Sequence, residues 1–225
     1  ASYNTAVGKS ALETNTTGAY NAALGHNALT ANTTGSDNVA IGAHALESNT
    51  TAEWITAVGY KAGQANTTGE GLVAVGAAAL IKNTTGDKNT ACGYDSLGEN
   101  TTGNSNTAVG YFALRESTTA NENTAVGVSA GYSLTTGSSS TMVGRMAMNN
   151  ATTAWGNVAI GEGAAYSTTT GNKNAACGRQ AMYNMTTGVQ SVAIGYQSLF
   201  NCTTANSNTA VGFYALVNCT GGNNT

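Results

Sequence analysis

Small apolar residues recur along the chain at a constant interval of 17 residues. Counting from Asn4, thirteen units of 17 residues run to Asn224 without an insertion or deletion, and their consensus is N-T-A-V-G-Y-x-A-L-x-x-N-T-T-G-x-x. We number the positions of each unit from 1 to 17, so that Asn4 is at position 1 and Gly8 at position 5. A fixed internal period indicates a repeat architecture. The sequence therefore predicts one domain over residues 1–225, with repeat units over 4–224.

The length of the unit and its glycine favour strands over helices. Seventeen residues are too few for two helices and a turn, and the glycine at position 5 of every unit would weaken a helix by about 1 kcal/mol. In a coil of parallel strands, equivalent residues of successive units stack about 4.8 Å apart, and an insertion would disturb every later coil. The chain also has no proline, which cannot donate to a strand ladder. We predict an all-β fold, a parallel β-solenoid of thirteen 17-residue coils.

The apolar pattern within the unit predicts which side chains form the core. Position 4 is apolar in every unit, and position 2 alternates threonine with valine or alanine. Because alternate residues of a strand face the same side, we expect positions 2 and 4 in the core, with the leucines of position 9 as a second wall. Position 3 would then face outward. It is alanine in twelve units, and this uncharged ribbon favours packing against another copy of the chain. The candidate oligomer face comprises Ala6, Ala40, Ala74, Ala108, Ala159, Ala193 and Ala210.

Charge and hydropathy argue against two classes of partner. Only 8% of the residues are charged and the net charge is −3, against roughly 25% charged residues in globular proteins. So few lysines and arginines cannot form the basic face that nucleic-acid binding needs. No apolar run approaches the roughly 20 residues of a membrane-spanning helix. We therefore expect no nucleic-acid partner and no membrane insertion.

Candidate catalytic and metal-binding residues do not form a pattern. His26 and His44 occupy different positions of their units, no histidine–carboxylate set recurs with ligand spacing, and no aspartate column runs through the repeats. The sequence predicts no enzyme, no cofactor and no metal site.

The N-T-T-G segment at positions 12 to 15 has three interpretations. Stacked asparagine and threonine side chains can hydrogen-bond from coil to coil. The same threonine columns suit ice binding on a rigid solenoid. The asparagines also begin N-x-T sequons, which are acceptors for N-linked glycans. The candidate glycosylation sites are Asn15, Asn32, Asn49, Asn66, Asn83, Asn100, Asn150, Asn184, Asn201, Asn218 and Asn223.

The four cysteines fall into two pairs. Cys202 and Cys219 share position 12 of adjacent coils, so their Cα atoms should lie about 4.8 Å apart, within the disulfide range of roughly 4.4–6.8 Å. We predict that they form a disulfide. Cys92 and Cys177 share position 4, five coils apart, and we expect them to be buried free thiols.

Three segments carry a resemblance to a known family. Asn38–Gly42, Asn157–Gly161 and Ser191–Gly195 read N-V-A-I-G, N-V-A-I-G and S-V-A-I-G. These segments resemble the head repeats of trimeric autotransporter adhesins, and the N-T-A-V-G-Y-x-A-L form is similar to arrays in bacterial surface proteins and phage tail fibres. The resemblance implies a left-handed parallel β-roll, a location outside the cell or on a cell or virion surface, and adhesive or shaft function.

These observations predict a structural or adhesive segment of an extracellular fibre or filament that self-assembles and carries glycans. Unpaired strand edges at the two ends of a solenoid favour a head-to-tail filament, so the expected partner is the chain itself, as a homo-oligomer or filament. The alternatives are an ice-binding or glycan-binding β-solenoid and a phage tail-fibre shaft.

Overall fold

A computed structural model describes residues 2–219 and 221–224, and it is all-β. Its contacts divide the chain into two compact units, Ala1–Tyr111 and Phe112–Thr225. Each strand occupies positions 2 to 4 of one coil. The first unit contains β1 (Thr5–Val7), β2 (Ala22–Leu24), β3 (Val39–Ile41), β4 (Thr56–Val58), β5 (Val73–Val75), β6 (Thr90–Cys92) and β7 (Thr107–Val109), and the second contains β8 (Thr124–Val126), β9 (Thr141–Val143), β10 (Val158–Ile160), β11 (Ala175–Cys177), β12 (Val192–Ile194) and β13 (Thr209–Val211).

Within each unit, consecutive strands pair in parallel and in register. Thr5 pairs with Ala22 in the first unit, and Val158 pairs with Ala175 in the second, so equivalent positions of successive coils are neighbours. The ladder continues outside the strands, where the Leu29 amide donates to the Ala45 carbonyl at 3.0 Å. The predicted parallel β-solenoid is confirmed. Its regular 17-residue spacing follows from this ladder, because each coil is bonded to the next around its circuit.

The strand side chains face the opposite way from the prediction. The position-3 alanines lie inside, and the positions on either side of them lie outside. The candidate oligomer face is therefore wrong for six residues, each at most 3% exposed: Ala40, Ala74, Ala108, Ala159, Ala193 and Ala210. Ala6, in β1, is exposed. The interior at position 3 has room for the methyl group of alanine, and the branched side chains of positions 2 and 4 point to solvent.

The second predicted core wall is confirmed. The position-9 leucines between the ends of the array, such as Leu29 and Leu46, are fully buried, whereas Leu12 and Leu216 in the first and last coils are half-buried, and buried alanines of position 8 lie next to the leucines in the chain. Met142, the exception in the alanine column, has a packing reason. A Cβ added to Gly131 would lie 2.7 Å from Met142 Sδ and 2.9 Å from Leu114 Cδ2. The missing leucine side chain at Gly131 therefore leaves the volume that the larger methionine occupies.

Each coil turns at residues with positive φ. The glycines of position 5 have φ between 127° and 145°, and positions 7, 9 and 17 have φ near 55° in residues such as His44, Leu46 and Trp54. Position 5 also requires glycine for space, because a Cβ on Gly25 would lie 2.5 Å from the Gly42 carbonyl oxygen. The position-5 glycine therefore satisfies two constraints, one on conformation and one on distance between coils.

Two columns of asparagine run through the interior. At position 1, Asn21 Nδ2 donates to the Gly35 carbonyl at 2.9 Å, and its Oδ1 accepts from the Asn38 amide at 3.1 Å. At position 12 of the first unit, Asn66 Nδ2 donates both to Asn49 Oδ1 at 3.1 Å and to the Gly69 carbonyl at 2.9 Å. These buried amides satisfy polar groups that water cannot reach, so the interior is partly polar.

Candidate interaction surfaces

Each unit has an uncharged, largely apolar surface that is formed by the outward side chains of positions 2 and 4, and we call this surface the sheet face. At position 4, eight aliphatic side chains keep 37% to 67% of their surface exposed: Val7, Leu24, Ile41, Val109, Val126, Ile160, Ile194 and Val211. Positions 1 to 5 contain no charged residue in any coil. Sequence reasoning missed this surface because it placed these side chains in the core.

Two free thiols lie on the sheet face. Cys92 in β6 and Cys177 in β11 are both exposed, and neither forms a disulfide. The prediction that they are buried is wrong for the same reason as the core assignment, since position 4 points outward. Each thiol therefore interrupts the aliphatic column with a reactive group.

The sequon asparagines divide between the interior and the surface. Asn32, Asn49, Asn66, Asn83 and Asn100 are fully buried in the position-12 column, and Asn15 is half-buried at its start. Their Nδ2 atoms donate in two directions, as described for Asn66, so the folded chain has no room for a glycan there. These buried sites correct the glycosylation prediction and support the first interpretation of this segment, in which asparagine side chains stack from coil to coil.

The remaining candidate sequons are more accessible. Asn201 and Asn218 are exposed at position 11, and Asn150 and Asn184 are half-buried at the same position. Asn184 Nδ2 donates to Asn201 Oδ1 at 2.8 Å, and Asn201 Nδ2 donates to Asn218 Oδ1 at 2.8 Å. Asn223 is exposed. Thr220 and Thr225, which complete the sequons of Asn218 and Asn223, lie outside the described residues.

The two threonine columns of the N-T-T-G segment differ in their surroundings. The position-13 hydroxyl of Thr33 donates to the Thr50 carbonyl at 3.0 Å, and that of Thr50 donates to the Thr67 carbonyl at 3.1 Å. These side chains therefore bond coil to coil, as the first interpretation of this segment expects. The position-14 threonines, including Thr34 and Thr51, are exposed.

Charged side chains lie on other edges of the coils and link neighbouring coils. Arg145 Nη2 donates to Glu162 Oε1 at 2.8 Å, and Arg179 Nε donates to Glu162 Oε2 at 3.2 Å. These two hydrogen bonds, that of Arg145 above all, lower the pKa of Glu162. Gln64, which donates to Glu47 Oε2 at 2.6 Å, is the main cause of the lowered pKa of Glu47.

The two tryptophans are exposed beside grooves in separate units. A groove of about 230 Å³ is lined by Trp54, Glu70, Gly71, Asp87 and Lys88. A second groove, of about 240 Å³, is lined by Trp155, Asn172, Lys173, Val189 and Gln190. Sequence reasoning did not single out either site. The available signal was a tryptophan at positions 16 and 17, where most coils have a small or charged residue.

Cys202 and Cys219 are joined by a disulfide, with their Cα atoms 5.0 Å apart. This is the pair that their shared position 12 predicts. Cys202 is fully buried, so the bridge takes the place that the asparagine column occupies in the first unit.

The described residues contain no group of three or more histidine, cysteine, aspartate or glutamate side chains placed to hold a metal ion. Within the same residues there is no helix of the length and apolarity that crossing a membrane requires. The chain matches no model of a known protein family and no curated protein. The resemblance to adhesin head repeats therefore stays a prediction.

Proposed function

We propose that the protein is a structural segment of an extracellular fibre in which copies of the chain associate through the sheet face. The observation that supports this proposal is the exposure of branched aliphatic side chains at position 4 of successive strands. Monomeric soluble proteins rarely expose large continuous apolar surfaces, and such surfaces mark sites of association.

The size of the sheet face suits a protein–protein interface. In the second unit, β8 to β13 present twelve outward side chains, against the roughly 20–30 residues that a standard interface has on each side. The first unit has a face of the same kind on seven strands. A standard interface buries about 800 Å² per partner.

The chemistry of the sheet face favours a second copy as the partner. Because positions 1 to 5 have no charged residue, two such faces can meet without desolvating an unpaired charge or bringing like charges together. Ridges of valine and isoleucine can interdigitate, as the inner faces of two packed sheets do at about 10 Å separation. Each copy therefore offers a surface that another copy can cover.

Two further features support a location outside the cell. The Cys202–Cys219 disulfide is of a kind that persists in oxidising compartments. The exposed sequon asparagines Asn201 and Asn218 are accessible to glycan attachment. The continuous backbone ladder within each unit suits a structural role, because every coil is held by its neighbours.

A double charge substitution tests association through the sheet face. The variant I160K/I194K places two ammonium groups on the face of the second unit, and we expect it to associate more weakly than the wild type, because only the face of the first unit is unchanged. The matched control T170K/T204K adds the same charge at exposed residues of position 14 and should associate like the wild type. Light scattering coupled to size-exclusion chromatography measures mass, and electron microscopy shows filaments. A monomeric wild type at high concentration, or association of I160K/I194K as strong as that of the wild type, contradicts the proposal.

Ice binding is a second candidate function of the sheet face. Thr124 and Val126 in β8 lie beside Thr141 and Val143 in β9, which gives a regular uncharged array with side chains two residues apart. A thermal-hysteresis assay separates the two candidates. Ice binding requires hysteresis in the wild type that I160K/I194K reduces, and the absence of hysteresis from the wild type rejects this candidate.

A further inference from the structure

Trp54 is an exposed aromatic side chain next to a coil that lacks a side chain at the same position. The indole is at position 17, and its residue is 61% exposed. Where aromatic residues follow one another on this column, they cover each other: the rings of Tyr3 and Tyr20 stack with centroids 5.1 Å apart. The coil after Trp54 has Gly71 at position 17, so it offers no such covering ring.

The space at Gly71 is open enough to admit a ligand. A Cβ built on Gly71 would meet only Lys88 within 4 Å, at 3.8 Å from Cγ. The groove of about 230 Å³ at this point is smaller than the roughly 300–1,000 Å³ of sites for drug-sized ligands. It therefore suits a ligand portion of about one six-membered ring.

The walls of the groove combine acceptors and a donor. Glu70 and Asp87 occupy position 16 of adjacent coils, and Asp87 Oδ1 accepts from the Glu70 amide at 2.8 Å. This bond fixes one oxygen of Asp87 and turns its carboxylate toward the preceding coil. Lys88 is exposed beside it and supplies an ammonium donor. A ligand in the groove can thus both donate and accept hydrogen bonds.

We propose that the groove at Trp54 binds a saccharide, with a pyranose ring stacked on the indole and its hydroxyl groups bonded to Glu70, Asp87 and Lys88. The electron-rich face of an indole attracts the weakly positive C–H groups on one face of a sugar ring. Hydroxyl groups donate to carboxylates and accept from an ammonium, which matches the mixed lining. A quaternary ammonium ligand fits less well, because Lys88 repels a cation.

The groove at Trp155 also contains a lysine but differs in two of these features, so it serves as an internal comparison. Lys173 Nζ lies 4.8 Å from the centre of a Trp155 ring, so an ammonium already occupies a cation–π contact there. Its lining contains amide side chains and no carboxylate. The proposal concerns positions 16 and 17 and does not depend on association through positions 2 and 4.

The test uses the full chain with the substitution Trp155→Phe, which leaves Trp54 as its one tryptophan. A glycan array identifies oligosaccharides that bind, and titration calorimetry with cellohexaose, chitohexaose, mannohexaose and the best array ligand measures affinity. Tryptophan emission follows Trp54 directly. We expect saturable binding of at least one oligosaccharide with a Kd of about 1 mM or tighter, together with a change in Trp54 emission. Choline chloride should give no saturable binding.

Two substitutions at Gly71 provide the matched comparison. Gly71→Tyr places a ring where it can cover Trp54, as Tyr20 covers Tyr3, and should weaken binding at least tenfold. Gly71→Ala leaves the indole open and should change the Kd less than threefold, and Ala78 already has a φ of 60° in this fold. Circular dichroism checks that both variants keep the fold, and Trp54→Ala replaces Gly71→Tyr if that variant does not fold.

Several results would overturn the proposal. These are the absence of any array ligand, saturable binding of choline chloride without an oligosaccharide, and equal affinities of the Gly71→Tyr and Gly71→Ala variants. Loss of binding in the Trp155→Phe protein that its parent retains would assign the saccharide to Trp155 and would also overturn it.

Discussion

At the scale of single residues, the interior selects side chains by volume and by hydrogen-bonding capacity. Position 3 points into the interior and is never valine, because the space there is small and suits alanine. Asparagine forms two buried columns although it is polar. Asparagine is suitable because one amide both donates and accepts, so identical side chains can bond to each other in a stack. Aspartate has the same shape without the donors.

Asn66→Asp should therefore destabilise the first unit. The carboxylate cannot donate to Asn49 Oδ1 or to the Gly69 carbonyl, and it would be buried beside both oxygens. We expect a loss of about 3 kcal/mol in the free energy of unfolding. Urea denaturation followed by circular dichroism measures it, and Asp37→Asn on the exposed edge is the control. Equal stability of Asn66→Asp and wild type would contradict the buried ladder.

Gly59→Ala tests the close approach of coils at position 5. Its Cβ would lie 2.5 Å from the Gly76 carbonyl oxygen, and its φ of 137° is unfavourable for alanine. We expect a loss above about 2 kcal/mol in the free energy of unfolding. Gly71→Ala, with φ of 64° and no contact closer than 3.8 Å, should cost at most about 1 kcal/mol. Thermal unfolding of the two variants should rank them in this order.

At the scale of the strand, the sequence predicts location well and orientation poorly. The 17-residue period, the strand at positions 2 to 4 and the leucine wall follow from spacing, and the structure has all three. Orientation fails because alternation alone does not say which side is inside. Valine and isoleucine are usually buried, so the pattern predicts them in the core, whereas the narrow interior contains Ala40 and the other position-3 alanines.

The site residues show the same limit. The shared position of Cys202 and Cys219 was sufficient to predict their disulfide, because residues 17 positions apart lie next to each other in adjacent coils. The Trp54 groove was not predictable, since it depends on the absence of a side chain at Gly71 in the next coil. The residue types that repeat from coil to coil cannot indicate a site that depends on one coil in which the repeat is broken.

The orientation of β6 and β11 predicts the reactivity of two thiols. Cys92 and Cys177 should react with a maleimide in the native protein, because both are exposed. Intact-mass analysis should find two labels on the native chain and four after unfolding and reduction, since Cys202 and Cys219 are bonded. At concentrations where copies associate, labelling should slow, because both thiols lie on the sheet face. No labelling of the dilute native protein would contradict the exposed position 4.

At the scale of the whole molecule, carboxylates that accept hydrogen bonds from a neighbouring coil couple the stability of the fold to pH. Among 11 acidic residues, Glu47 and Glu162 have lowered pKa values, caused chiefly by Gln64 and by Arg145 respectively. A carboxyl group whose folded pKa lies below its unfolded value stabilises the fold above the unfolded pKa, and this contribution is lost as pH falls through the folded pKa.

The melting temperature should therefore decrease on acidification below about pH 4.5, the region where unperturbed glutamates begin to take up protons. Glu47→Gln should reduce this decrease, because glutamine does not titrate and the carboxylate bonds to Gln64 and Asn27 are no longer pH-dependent. Differential scanning calorimetry between pH 7 and pH 3 measures the difference. The control is Glu13→Gln, an exposed glutamate at the same position 10. Identical pH profiles of wild type and Glu47→Gln would contradict this assignment.

Because successive coils pair at equivalent positions, one whole coil can be removed or added without a change in the pairing of the others. Excision of residues 25–41 would join Leu24 to Gly42, and each later residue of the first unit would meet a neighbour of the same position as before. Excision of one residue fewer would instead shift the register between the two coils that meet at the junction, where alanine would lie opposite valine and asparagine opposite threonine. The array can therefore lengthen or shorten in steps of 17 residues while each remaining coil keeps its partners. The number of coils can change in this way while the residues of the interior stay the same.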